Sequence, residues 1–341
     1  MAPAAAIQDR VIFVIGPPRS GSTLLQRMLG SHSAVLSLPE PHLVTPLAHL
    51  GVWAKVERAA YDHVNAAEAQ REFIAELPGG LDDYWAACRA YLDVLYGRAL
   101  EPSGKRLFVD KTPAYALVLP FLTRVYPRAR YLVLTRHPLA VFCSYANSFF
   151  EGDAAAAVAY NDILGRYLPA MARFLRAPGV DVHRLRYEDL VQRPAAELAA
   201  VFDWLGLENE PGAVDYGAHA HRDKSYGDPK VRHRTRPTTD SLQRWAAELA
   251  ADPAARAVAE RVVARLDPAD LDTWGTPAAD LFAPVDRAAG AAPPRRDRRW
   301  LADGYRLRRR VFLALRKDIH QRPHGHLLRR LRYYCDVLLR E

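Results

Sequence analysis

Hydrophobic positions along the chain fall into short continuous runs separated by longer stretches with helical spacing. Val11–Ile15 (VIFVI) is an unbroken apolar run rich in β-branched residues, the pattern of a strand buried on both faces. Comparable runs at Lys105–Val109, Tyr131–Leu134 and Val182–Leu185 predict further strands, and a shorter one falls within His32–Pro41. Between them the spacing turns helical. Leu24, Leu25, Met28 and Leu29 mark one helix, and Tyr115–Val125, Leu139–Phe149, Asp153–Leu175 and Pro194–Leu205 mark others. Thr239–Leu249 and Ala254–Leu266 continue the helical pattern. His42–Leu100 is alanine-rich and helical, with breaks at Gly51, Pro78, Gly79 and Gly80, and reads as a helical cap inserted after the first strand–helix unit. Strands alternating with helices predict an α/β fold, a parallel sheet with helices on both faces. Ligands of such sheets bind beyond the carboxyl ends of the strands.

The chain has 341 residues, half of them hydrophobic, enough for one large α/β domain with an appendage. No apolar run reaches the roughly 18–20 residues of a spanning helix. The first residues, MAPAAAIQDR, lack the pattern of a signal peptide. Cys88, Cys143 and Cys335 are far apart and suggest neither a zinc site nor a disulfide framework, which fits a reducing, cytoplasmic setting. The net charge of +8 is unevenly spread: Arg295–Glu341 alone carries 15 Lys/Arg against 5 Asp/Glu. The sequence thus divides into an α/β domain (1–280), an Ala/Pro/Gly-rich linker (281–294) and a basic amphipathic helical tail (295–341). The basic tail could touch an anionic membrane, nucleic acid, an acidic carrier protein or a second copy of this chain, or pack back on its own body; for the protein as a whole a nucleic-acid partner is not expected.

The first strand runs into Gly16-Pro17-Pro18-Arg19-Ser20-Gly21-Ser22-Thr23 and then a helix, the arrangement in which backbone N–H groups and a helix N-terminus converge on an anion. The spacing matches a P-loop, but Ser22 stands where a nucleotide-hydrolysing loop has its lysine, and the cation has moved to Arg19. Three further charged groups follow predicted strand ends: Asp110-Lys111-Thr112-Pro113, Arg136-His137-Pro138, and Arg186-Tyr187-Glu188-Asp189. Ser144 lies about two helical turns beyond Arg136, and a guanidinium with a hydroxyl suits one phosphate group.

GPPRSGSTLL resembles the 5′-phosphosulfate loop of the sulfotransferases that use 3′-phosphoadenosine 5′-phosphosulfate (PAPS), and TRHPLAVFCSY resembles the segment that holds the 3′-phosphate of PAPS. DKTP, YEDL and SYGDPKV resemble segments of the bacterial and tyrosylprotein branch. The resemblance spans roughly Arg10 to Leu249. It implies a three-layer P-loop-like fold and PAPS-dependent sulfuryl transfer to an acceptor hydroxyl, with no metal required. In that scheme Pro18, Arg19, Ser20, Gly21, Ser22 and Thr23 hold the phosphosulfate, and Arg19 counts as catalytic as well. Lys111 stabilises charge on the leaving phosphate, Arg136 and Ser144 hold the 3′-phosphate, and Tyr187 and Lys230 touch the nucleotide. The Arg-Lys-Gly close of the cytosolic enzymes is absent.

Glu40, bracketed by Pro39 and Pro41, is the candidate general base that takes the acceptor's proton, with His32 and His42 as rivals. An acceptor that is a small molecule of bacterial metabolism is expected. Two other readings stay open from the residues. One is a P-loop small-molecule kinase using ATP and Mg²⁺, since LFVD resembles a Walker-B strand ending in Asp110. The other is a non-catalytic nucleotide-binding adaptor that presents the tail. Whether the chain works as a monomer or a homodimer is open.

Overall fold

A computed structural model describes residues 6–48, 63–221, 231 and 233–289. Five parallel strands, β1 (Val11–Ile15), β2 (Val35–Ser37), β3 (Leu107–Asp110), β4 (Arg130–Thr135) and β5 (Val182–Arg186), lie in the order β2-β3-β1-β4-β5. Val11 pairs with Phe108 on one side of β1, and Ile12 pairs with Arg130 on the other. β1 is therefore central and buried along its whole length, which is why its sequence is continuously apolar rather than alternating.

Alternate residues of β1 feed two separate cores, because successive side chains of a strand point to opposite faces. Val11, Phe13 and Ile15 join one core; Ile12 and Val14 join the other. The second core is completed by helix α1 (Ser22–Gly30) and by the helix Pro194–Trp204. The first is built around Phe13, whose ring meets Tyr96, Tyr115, Tyr126 and Tyr131 at 5.5–6.4 Å. This is the expected three-layer α/β arrangement with a P-loop-like sheet.

Of the expected cap, α2 (Val44–Ala48), α3 (His63–Ala75) and α4 (Leu81–Leu100) are described. α4 covers the first core with Tyr84, Cys88, Leu92, Tyr96 and Leu100. None of the helices among the described residues is long and apolar enough to cross a membrane.

Two helical expectations and one linker boundary are corrected. Asp153–Leu175 is two helices, Ala154–Tyr160 and Ile163–Arg176, because Asp162 caps the second by accepting from the Gly165 amide. The helix expected from Thr239 begins at Arg244. Residues 281–289 are not an extended linker: Leu281 and Val285 are fully buried, and Ala283–Arg287 is helical with Pro284 in its first turn. The basic tail, the SYGDP segment and Lys230 lie outside the described residues.

Candidate active site

The loop between β1 and α1 is tightly wound. Arg19 and Gly21 both have positive φ, 72° and 98°. Ser20 N–H donates to the Pro17 carbonyl at 3.2 Å. A Cβ on Gly21 would stand 2.3 Å from the Tyr187 ring, and one on Gly16 would stand 2.7 Å from Ser20 Oγ. Gly21 is thus required by its backbone and by the Tyr187 ring, whereas a side chain at Gly16 would press on the Ser20 hydroxyl. Ser20 is fully buried, and its hydroxyl has no hydrogen-bond partner among the described residues. Gly21, the residue before α1, offers no side-chain cap. A buried orphan hydroxyl beside an uncapped helix N-terminus fits an anion at this place.

β3 separates two acid–base groups by strand alternation. Phe108 and Asp110 face the tyrosine core, where Asp110 accepts from Tyr96 OH at 2.6 Å, Tyr115 OH at 3.1 Å and Thr112 Oγ1 at 3.3 Å. Burial pushes this carboxyl up to about 6, against the lowering pull of its three hydroxyl donors and Lys111. The next residue, Lys111, leaves the strand end on the P-loop side. Its side chain is 1 % exposed, its Nζ lies 3.5 Å from Thr23 Oγ1, and it forms an ion pair with Glu40 Oε1. The other carboxylate oxygen of Glu40 lies 3.4 Å from His42 Nε2. Thr23, Lys111, Glu40 and His42 therefore form a line from the first turn of α1 outward.

His32 takes no part in that line. It precedes β2, at the opposite end of the strand from Glu40. Its Nδ1 accepts from Ala34 N–H at 3.0 Å, and its Nε2 lies 2.9 Å from the Glu208 carbonyl. With its ring on Phe202 and 2 % exposure, His32 is a structural pin.

Arg136, just past β4, is buried. It donates to the Arg19 carbonyl at 3.0 Å and the Ser241 carbonyl at 3.3 Å, and its guanidinium lies 4.3 Å from the centre of the Tyr187 ring. Arg19 Nε reaches Ser144 Oγ at 3.3 Å on helix Pro138–Phe149. Arg19 thus links Arg136 through its carbonyl and Ser144 through its side chain. Tyr187 is the platform under Arg136 and the wall against Gly21, and its hydroxyl lies 2.7 Å from Ser241 Oγ. Sequence reasoning missed Ser241, having read it as a helical position. The Thr238-Thr239-Asp240-Ser241 run ahead of an apolar helix was the available signal.

Glu188 serves the helix that follows β4. It accepts from His137 N–H at 2.9 Å, at the start of Pro138–Phe149, not at the following helix. The ring of His137 lies on Trp245 at 4.5 Å, and burial, reinforced by Arg186 and Arg136, pulls its pKa down to about 4.

A parallel sheet of this order, with a glycine loop opening α1 and cations gathered past the strand ends, defines a P-loop-like α/β fold. The chain belongs to the sulfotransferase family, whose model matches residues 11–211. It is 31 % identical over 265 residues to nodulation protein NoeE of Sinorhizobium fredii, covering 70 % of this chain and 60 % of that protein. It is 26 % identical over 203 residues to protein-tyrosine sulfotransferase 2 of Gallus gallus, covering 58 % of this chain and 51 % of that one. The sulfotransferase domain of the Synechococcus olefin synthase superposes with a TM-score of 0.49 at 22 % identity, over 75 % of this chain and 95 % of that one.

Proposed function

We propose that the chain transfers the sulfuryl group of PAPS to a hydroxyl of a small-molecule acceptor. The observation that carries this reading is the position of Lys111, whose ammonium lies between Thr23 of the P-loop helix and Glu40. PAPS would supply the activated sulfuryl group and depart as 3′,5′-adenosine bisphosphate (PAP).

Residues 18–23, with the orphan Ser20 hydroxyl, bind the 5′-phosphosulfate. Arg136 and Ser144, both tied to Arg19, bind and orient the 3′-phosphate. With PAPS bound, the acceptor oxygen would bond to sulfur as the bond from sulfur to the bridging phosphate oxygen breaks. Glu40 takes the hydroxyl proton, and Lys111 offsets the charge left on the phosphate. His42, beside the second Glu40 oxygen, shares the carboxylate rather than replacing it as base.

The kinase reading loses its metal-binding acid. Asp110 has both oxygens committed to hydroxyls in the tyrosine core, whereas phosphoryl transfer needs an acid facing the P-loop magnesium.

The test is PAP release from PAPS by the purified chain, assayed against a panel of phenols and sugars. Acceptor-dependent PAP formation that falls about 10²-fold in Glu40→Gln supports the assignment. An undiminished rate in that variant removes Glu40 as base.

A further inference from the structure

The segment that carries Glu40 is tied down at both ends by side chains that take no part in the proposed chemistry. At its start, Gln26 on α1 donates from Nε2 to the Leu38 carbonyl at 2.5 Å. At its end, the Val44 amide donates to Tyr115 OH at 3.2 Å, and that hydroxyl donates in turn to Asp110 Oδ2. Between the ties stand Pro39, Pro41 and His42, the last with φ 55°, a left-handed conformation that a non-glycine residue holds only when its surroundings enforce it. The Val44 amide opens α2, so the helix itself provides no acceptor for it. Tyr115 and Asp110 are both fully buried.

We infer that Tyr115, oriented by Asp110, is a positioning residue for Glu40. The inference rests on the reading of Glu40 as the base. The end of β3 then sets both halves of the Glu40–Lys111 pair. Asp110 fixes the Glu40 segment through Tyr115, while Lys111, one residue later, meets the Glu40 carboxylate directly. Displacement of a catalytic group by about 1 Å costs on the order of 10²-fold in rate, so one lost hydroxyl reaches turnover without touching a substrate.

Tyr115→Phe keeps the ring packing and removes only the hydroxyl. Tyr131→Phe is the control, since its hydroxyl bonds the Leu122 and Tyr126 carbonyls on the same core face and makes no link to the Glu40 segment. In the protein without ligands, Tyr115→Phe should raise amide hydrogen exchange across residues 38–44 by about 10-fold, with β1 unchanged, and the control should not. In turnover, Tyr115→Phe should lower kcat roughly 10-fold with the KM for PAPS unchanged, and should cost nothing further in a Glu40→Gln background. Unchanged exchange over 38–44, or the same loss of kcat in both backgrounds, overturns the inference. If Glu40→Gln alone leaves turnover intact, the base assignment fails and takes the inference with it. An impaired Glu40→Gln beside a fully active Tyr115→Phe removes only the role of Tyr115.

Discussion

Lys111 and Glu40, 71 residues apart in sequence, form an ion pair in which the lysine is 1 % exposed and the carboxylate 13 %. The pair lies beside Thr23, in the first turn of α1. A charge buried this deeply is tolerated only with a partner, and removing one member leaves the other uncompensated. The geometry therefore couples the two groups that stand on either side of the proposed transfer.

Lys111→Met tests that coupling. The variant keeps the stem's volume and removes the charge. Turnover should fall by about 10²-fold or more, as for loss of one preorganised donor at developing charge. PAP affinity measured by calorimetry should change much less. Wild-type turnover in this variant would show that Lys111 serves packing alone.

Arg136 should be read out in binding rather than chemistry. Arg136→Ala removes the links to the Arg19 and Ser241 carbonyls. It should weaken PAP about 10- to 100-fold, the range for one charge-assisted hydrogen-bonding group. Arg136→Lys should restore little, because the planar fork bridges two carbonyls while lying against Tyr187. Equal PAP affinity in wild type and Arg136→Ala would contradict the 3′-phosphate role.

Gly21→Ala should destabilise the fold as well as the site. Its φ of 98° and the 2.3 Å approach of a Cβ to the Tyr187 ring act together. Urea denaturation should show a loss of about 2–4 kcal/mol. A variant as stable as wild type would mean that the loop relaxes away from Tyr187.

The glycine loop was legible because its pattern is contiguous: an apolar strand, two spaced glycines and a helix follow one another within twenty residues. Lys111 and Arg136 were legible for a related reason, since each follows directly on a strand. What joins them was not. The Glu40–Lys111 pair, the Arg136 contact with the Arg19 carbonyl and the Ser241 wall depend on the strand order and on loops that return from far along the chain. Local capping was also missed. Asp162 breaks an otherwise continuous helical pattern, and Pro284 starts a short helix within a stretch whose Ala/Pro/Gly composition suggested a linker. Composition does not reveal that Leu281 and Val285 are buried against the rest of the core.

Asp110 makes a pH-dependent contribution with a definite sign. Burial holds its carboxyl near 6, above the ordinary value of 3.8. Between these values the folded chain keeps a proton that the unfolded chain releases. The associated stability is present below about pH 4 and is lost as pH rises through 6, an effect on the order of 3 kcal/mol. The unfolding free energy of wild type relative to Asp110→Asn should therefore fall between pH 4 and 6.5. A pH-independent difference would contradict the assigned shift.

Calorimetric titration of the wild-type chain with PAP, in the presence of EDTA, and separately with ATP and Mg²⁺ separates PAPS-dependent transfer from a kinase. Micromolar PAP binding without metal is expected, weakened in Arg136→Ala, with far weaker binding of ATP with Mg²⁺. Preference for ATP with Mg²⁺, or no binding of PAP, would contradict PAPS-dependent transfer.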